Sequence, residues 1–170
     1  MQRSINRNIY VCLRQKESVW RRKSMQTIKH MTAAETAQVA EIAAEAFSQP
    51  WTKQGFDESL SGEDNFFLLC MEEEHVLGYC GLYMAADEGE IINVAVKHAY
   101  KGQGIADKLM QEMLAEGEKH GITRFFLEVR VSNTPAIRLY EKHGFTRQGI
   151  RKNFYENPKE DAYVMNRIIE

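Results

Sequence analysis

Glu90-Ile91-Ile92-Asn93-Val94-Ala95-Val96, followed by Tyr100-Lys101-Gly102-Gln103-Gly104-Ile105-Ala106-Asp107, is the stretch on which the fold turns. Its first half is an apolar run that reads as a strand. Its second half places glycines directly before a helical pattern, which reads as a tight turn feeding a helix N-terminus. That helix is expected over 105–120, with Ile105, Leu109, Met113 and Leu114 on one face and Gly121 just past its end. A buried-looking run over 124–129 follows at once. Strand, glycine loop, helix and strand make a crossover unit, so these two strands should lie parallel with a right-handed connection.

Working outward, 26–29 reads as a short strand, and Thr32-Ala33-Ala34-Glu35 as a capping box opening an amphipathic helix to about Phe47. Ser48-Gln49-Pro50-Trp51 breaks that helix, and Thr52 is placed to cap a second, short one ending near Leu60. The runs 66–71 and 77–84 form a hairpin around Glu72-Glu73-Glu74, and the Asp87-Glu88-Gly89 turn precedes the strand 90–96. On the far side, Ser132-Asn133-Thr134-Pro135 starts another helix, with proline near its first position, and His143-Gly144 ends it. The segments 145–151 and 161–167 are expected to pair around a long polar loop. The sum, β-α-α-β-β-β-α-β-α-β-β, is a mixed α/β chain with one parallel crossover.

A chain of 170 residues, 44% hydrophobic and 27% charged, is globular and long enough to bury a core without a disulfide or metal staple. Its formal net charge of −2 hides a split: residues 1–30 hold eight Lys/Arg and only one acid, Glu17. The remaining 140 residues carry 14 bases and 23 acids, a net of −9, which argues against nucleic acid as the main substrate. The basic segment 1–24 reads as a transit peptide, as a docking arm, or as an over-extended start with Met25 the true first residue. The last reading is favoured because regular patterning begins only after Met25, leaving 25–170 as a single domain. Cys12, Cys70 and Cys80 show no Cys-x-x-Cys spacing, and the five histidines are scattered. Neither a disulfide framework nor a metal site is suggested, and a reducing cytoplasmic location is expected. No apolar run approaches the ~20 residues of a membrane span.

Glycines let backbone amides converge, and the helix that follows adds partial positive charge, so Gly102-Gln103-Gly104 suits an anion such as pyrophosphate. Two nucleotide motifs fail. A P-loop needs Gly-Lys-Ser/Thr where Gly104 precedes Ile105, and a dinucleotide fingerprint belongs at the first strand with an acid ~20 residues on. By itself the loop reads equally as a plain tight turn.

Downstream lie Leu127-Glu128-Val129-Arg130-x-Ser132-Asn133 and Ala136-Ile137-x-Leu139-Tyr140-x-x-x-Gly144-Phe145. With these, the sequence from about Gln26 to Ile169 resembles the GNAT superfamily of N-acetyltransferases. Lys101 to Ala106 is similar to its Gln/Arg-x-x-Gly-x-Gly/Ala acetyl-CoA motif, with lysine in place of the first residue. Pro50-Trp51, Ile92 to Val96, Arg151-x-x-Phe154-Tyr155 and Glu160-Asp161-Ala162 resemble the ribosomal-protein-alanine N-acetyltransferase type within it. The resemblance implies a mixed, mostly antiparallel sheet of about seven strands, flanked by four helices and splayed between its fourth and fifth strands. It implies acetyl-CoA as cosubstrate and no metal. Val94, Ala95, Val96, Lys101, Gly102, Gln103, Gly104, Ile105, Ala106, Asp107 and Asn133 would contact acetyl-CoA. The acceptor it implies is the α-amino group of an N-terminal alanine on a small-subunit ribosomal protein, with no direct nucleic-acid or membrane partner.

An α-ammonium has a pKa of about 7.7–8.0 and must lose a proton before it attacks a thioester. Glu128 is the candidate base, a role the family carries at this position; a plain ion pair with Arg130 or Arg124 is the bland alternative. Glu88 and Glu90 are rivals expected to face solvent. Tyr140, in the family's Leu-Tyr motif, is the candidate acid for the leaving thiolate, or else a core tyrosine. Trp51, Arg130, Phe154 and Tyr155 are placed around the acceptor, although Trp51 and Phe154 read equally as core. No cysteine sits where an acetyl-enzyme would need one, so direct attack in a ternary complex is expected. A small-molecule amine, a lysine side chain, or a non-catalytic acyl-CoA-binding role are the alternatives.

Overall fold

The structure, a computed structural model, describes residues 25–169, so the readings made of 1–24 lie outside the described residues. In chain order the elements are β1 (Thr27–His30), α1 (Thr36–Ala46), α2 (Lys53–Ser59), β2 (Asn65–Glu72), β3 (His75–Ala85) and β4 (Glu88–Val96). After a single 3-10 turn, His98–Tyr100, come α3 (Ile105–Lys119), β5 (Arg124–Arg130), α4 (Thr134–Lys142), β6 (Thr146–Glu156) and β7 (Lys159–Ile168). The strands form one seven-stranded sheet in the order β1-β2-β3-β4-β5-β7-β6. All neighbours are antiparallel except β4 and β5, which are parallel as the crossover predicts.

Both faces of the sheet's first half are covered, which is why its strands are so apolar. Alternate residues of β2 separate the two layers. Leu68 and Cys70 pack with Ile105, Leu109 and Met113 of α3, whereas Phe67 and Leu69 pack with Val39 and Ile42 of α1 and Phe56 of α2. Local chemistry sets the helix ends. The Thr52 hydroxyl accepts the Gly55 N–H at 3.1 Å and starts α2, and the Asn133 side chain accepts the Ala136 N–H at 3.3 Å and starts α4. The capping box acts one turn early: Glu35 reaches back to the Thr32 N–H at 2.9 Å, but helical hydrogen bonding begins at Thr36.

The sheet opens in its middle. Against β3, Gly81 pairs with Asn93 but Leu82 pairs with Ile91, so Ile92 is an extra residue on β4. Such a bulge bends its strand and increases the local twist. On its other edge β4 meets β5 at only three positions, Glu88 with Arg124, Gly89 with Phe125 and Glu90 with Phe126. Beyond Glu90 the two strands run on unpaired to Val96 and Arg130, while β5 stays paired with β7 along its whole length. This is the splay between the fourth and fifth strands that the resemblance implied.

The final strand pair differs from expectation. In place of a long polar loop, β6 and β7 continue to a tight turn at Asn157-Pro158, with Tyr155 paired to Glu160 and Glu156 to Lys159. β6 is an edge strand exposed at all but one position, so it lacks the polar–apolar alternation that betrays a strand. It also bulges between Arg151 and Tyr155. The Asp161 carboxylate closes that bulge by accepting the Asn153 N–H at 2.8 Å and the Lys152 ammonium at 2.6 Å.

The β4 bulge depends on a missing side chain. A Cβ at Gly81 would lie 2.5 Å from Phe67 Cε1 and 3.0 Å from Ile92 Cγ1, and Phe67 is itself wedged against Trp51 and Phe56. Gly81→Ala is therefore expected to cost about 1–3 kcal/mol of stability by overpacking. Urea denaturation measures this; an unchanged midpoint would show that the bulge relaxes freely.

Candidate active site

The wedge between β4 and β5 is a cleft of about 600 Å³. Its walls are the Glu90–Val94 part of β4, the Glu128–Arg130 end of β5, Asn133 and Tyr140 around α4, Trp51 after α1, and Phe154 and Tyr155 of the β6–β7 hairpin. The structure thus gathers Glu128, Tyr140, Asn133, Trp51, Arg130, Phe154, Tyr155 and Val94 around one space. Ala95 is buried against the α1–α2 layer, and Val96 packs with the α3 side. The β4 edge facing β5 has no strand partner past Glu90, so backbone groups along it are left for a ligand.

Lys101 to Asp107 do not line the cleft; they form the turn into α3 beyond the end of β4. Ile105 anchors this turn, because it is buried next to Gly78 and Val96. Gly102 and Gly104 have φ of +76° and +77°, and a Cβ at either would meet nothing within 4 Å. Glycine is needed there for its backbone conformation, not for space. The first bond of α3 is Lys108 N–H to Gly104 C=O, so the amides of residues 105–107 have no acceptor within the helix. An open glycine turn, free amides and an unpaired strand edge are what an elongated acyl thioester with a pyrophosphate needs, so the residues fit acetyl-CoA. Asp107 is committed elsewhere. It accepts Lys142 Nζ at 2.7 and 2.8 Å and lies 2.9 Å from His143 Nε2, which ties α3 to α4. The Lys142 hydrogen bond, aided by His143, holds its carboxyl below the usual range against the opposing effect of desolvation.

Glu128 is a largely buried side chain on the cleft wall, and its Oε1 accepts Arg151 Nη1 at 2.7 Å. Its ion-pair partner is thus neither Arg130 nor Arg124. Arg124 pairs at the surface with Glu88 at 2.8 Å, in keeping with the expectation that Glu88 faces solvent. Glu90 faces the cleft instead. It occupies the last paired position of β4, at the vertex of the wedge, where it is half-buried and lines the cleft. Burial raises its carboxyl above the usual range and the Glu128 charge adds to this, while Arg151 opposes it.

Arg130 braces the hairpin. Its guanidinium donates to Glu160 at 2.9 Å and to the Pro158 and Asn157 carbonyls at 3.0 Å each, and it lies 4.2 Å over the Tyr155 ring. Glu160 also accepts the Ser132 N–H at 2.8 Å, and Ser132 and Arg130 together hold its carboxyl below the usual range. Tyr155 in turn donates its hydroxyl to the Glu128 carbonyl at 3.3 Å. Tyr140 is buried, and burial pushes its hydroxyl far above the usual range, so it remains a proton donor throughout the neutral region. Trp51 is both wall and core: 39% exposed, it also packs against Phe56 and Phe67 with ring centroids 5.4 and 6.0 Å away.

The sequence assigns no role to Arg151 or Glu160, and it offers Glu90 only as a rival base expected to face solvent. Arg151 and Glu160 stand inside motifs that flagged the hairpin, but their partners lie 23 and 30 residues away, and spacing along the chain does not reveal such pairs. Among the described residues, no group of three or more His, Cys, Asp or Glu side chains is placed to hold a metal ion.

The family model described as the GNAT family of acetyltransferases matches residues 36–145. A putative ribosomal protein bS18-alanine N-acetyltransferase of Bacillus subtilis is 37% identical over 144 residues, covering 84% of this chain and 95% of the relative. The Escherichia coli ribosomal protein bS18-alanine N-acetyltransferase is 32% identical over 143 residues, covering 83% and 96%. The crystal structure of the Escherichia coli ribosomal-protein-S18-alanine N-acetyltransferase superposes with a TM-score of 0.79 at 31% identity, covering 86% of this chain and 95% of that one. The chain therefore belongs to the GNAT family, and it is an N-acetyltransferase that uses acetyl-CoA as its acyl donor.

Proposed function

We propose that this enzyme acetylates the α-amino group of an N-terminal alanine, or a similarly small residue, on a small-subunit ribosomal protein, by direct attack within a ternary complex. The observation that carries the reading is that the Glu128 carboxylate and the Tyr140 hydroxyl, which burial pushes well above the usual range, line one cleft beside an unpaired strand edge. The relatives named for alanine acetylation of a ribosomal protein support the acceptor. So does the net charge of −9 on residues 31–170, which draws a cationic segment toward the cleft.

Acetyl-CoA supplies the acetyl thioester when bound. Gly102, Gly104 and the free amides of the α3 N-terminus hold its anionic part, and Asn133 adds a polar contact from the start of α4. Backbone groups of Val94, Ala95 and Val96 orient the acyl end from the open edge of β4 and stabilise negative charge there. Glu128 takes the proton from the α-ammonium, directly or through water, and Tyr140 donates to the departing sulfur. Arg130 keeps the hairpin in place while Trp51, Phe154 and Tyr155 enclose the acceptor. Residues 25–170 act in this reading as one catalytic unit working in the cytoplasm. Among the described residues, no helix is long and apolar enough to cross a membrane.

Three measurements check this. Peptides beginning with alanine should release thiol from acetyl-CoA, whereas the same peptides blocked at the N-terminus should not; activity confined to polyamines or internal lysines would overturn the acceptor. Glu128→Gln and Tyr140→Phe should each lower kcat by about 10²–10⁴. Both should leave coenzyme A binding, followed by calorimetry, within about twofold, because neither is placed at the anion cradle. Gly104→Ala forces a non-glycine residue into the left-handed region at a cost of about 1–2 kcal/mol. It should weaken coenzyme A binding while sparing peptide KM.

A further inference from the structure

We propose that Arg151 is a positioning residue for this reaction: its guanidinium holds one oxygen of the Glu128 carboxylate and offsets the crowding of that charge by Glu90. The other Glu128 oxygen is thereby left for the incoming amine. The inference rests on the reading of Glu128 as the base.

Arg151 does not line the cleft, whereas Glu128 does. The guanidinium reaches the carboxylate from β6, the strand that also carries Phe154 and Tyr155. Its Nη1 donates to Oε1 at 2.7 Å, and its plane rests 4.4 Å from the Phe154 ring centroid. Two contacts thus set its direction, and the β6 bulge closed by Asp161 sets its starting point.

The surroundings explain why a cation is needed there. From β4, Glu90 brings a second carboxylate to the same cleft. From β5, Arg130 is committed to Glu160 and the turn carbonyls, and from β6, Lys152 is committed to Asp161. Tyr155 donates to the Glu128 backbone, not to its carboxylate, and Tyr140 on α4 is buried and neutral. Two carboxylates held close share a proton unless a cation offsets them. Burial and the Glu128 charge push the Glu90 carboxyl up, and Arg151 pulls it back. With Arg151 in place, part of the repulsion between the two carboxylates is offset, and one Glu128 oxygen is held while the other is left for the amine.

The test is a pH–rate comparison of the wild type with Arg151→Met and Arg151→Lys, using acetyl-CoA and an alanine-initiated peptide. Arg151 is 56% exposed, so its loss leaves no buried hole, and a thermal melt confirms folding. In Arg151→Met the cation that opposes the repulsion between Glu90 and Glu128 is gone. The ascending limb of kcat/KM should move up by about one pH unit, with kcat at neutral pH lowered and the KM for acetyl-CoA unchanged. Arg151→Lys should show a smaller shift. Adding Glu90→Gln to Arg151→Met should move the limb back down, because the like charge is gone. A limb that stays put in Arg151→Met, or a shift that Glu90→Gln leaves intact, overturns the proposal. Full turnover in Glu128→Gln would instead sink the base assignment beneath it, and is read independently in the same assay.

Discussion

Three parallel pairings, Glu88 with Arg124, Gly89 with Phe125 and Glu90 with Phe126, are the only strand pairings that join the two halves of the sheet among the described residues. The site depends on where they stop. A ladder continued to Val96 and Arg130 would bring the strands to about 4.8 Å and close the cleft with hydrogen bonds. The Ile92 bulge bends β4 away at the right place, and the open Gly81 position opposite gives Phe67 room to remain packed while it does so. Backbone groups that would be costly to leave unpaired in a sheet centre become an edge for a ligand. Binding energy is thus built into the interruption itself.

A second set of forces holds the hairpin that forms the far wall. β6 and β7 carry little buried apolar surface near their turn, so ionic and hydrogen-bonded contacts do the positioning. Arg130 ties the turn carbonyls and Glu160 to the end of β5, Glu160 reaches the Ser132 amide, and Asp161 closes the bulge. The Arg130–Glu160 pair is only 21% and 16% exposed, so water screens it less than an ordinary surface pair. Asp107 plays the matching part on the other side, joining the first turn of α3 to the last turn of α4. The helix that carries Tyr140 is thereby registered against the glycine turn.

Much of this was legible in the chain. The glycine turn and the helix after it are local, because φ near +77° at Gly104 excludes most side chains and a capped amphipathic pattern continues from it. The parallel crossover followed from strand, helix and strand in succession, and the mixed, mostly antiparallel sheet of about seven strands from the family resemblance. The continuous β6–β7 hairpin was hidden because an exposed edge strand carries no alternation. The exposure of Glu90 was misjudged for a related reason. A strand residue's surroundings depend on where its neighbour strand ends, and that end is a tertiary fact.

The sequence by itself determined most of the elements, the Thr52 and Asn133 caps, the glycine turn and the family, because each is written in residues near one another or in ordered motifs with specific spacing. Only the tertiary structure decided the partner of each charge: Arg151 for Glu128, Glu160 for Arg130, and Lys142 with His143 for Asp107. The physical reason is that a charge interacts through space over a few ångströms, while these partners lie 23, 30 and 35–36 residues apart along the chain. The fold had to be in place before Glu90 and Glu128 came to line one cleft and Arg151 reached the Glu128 carboxylate.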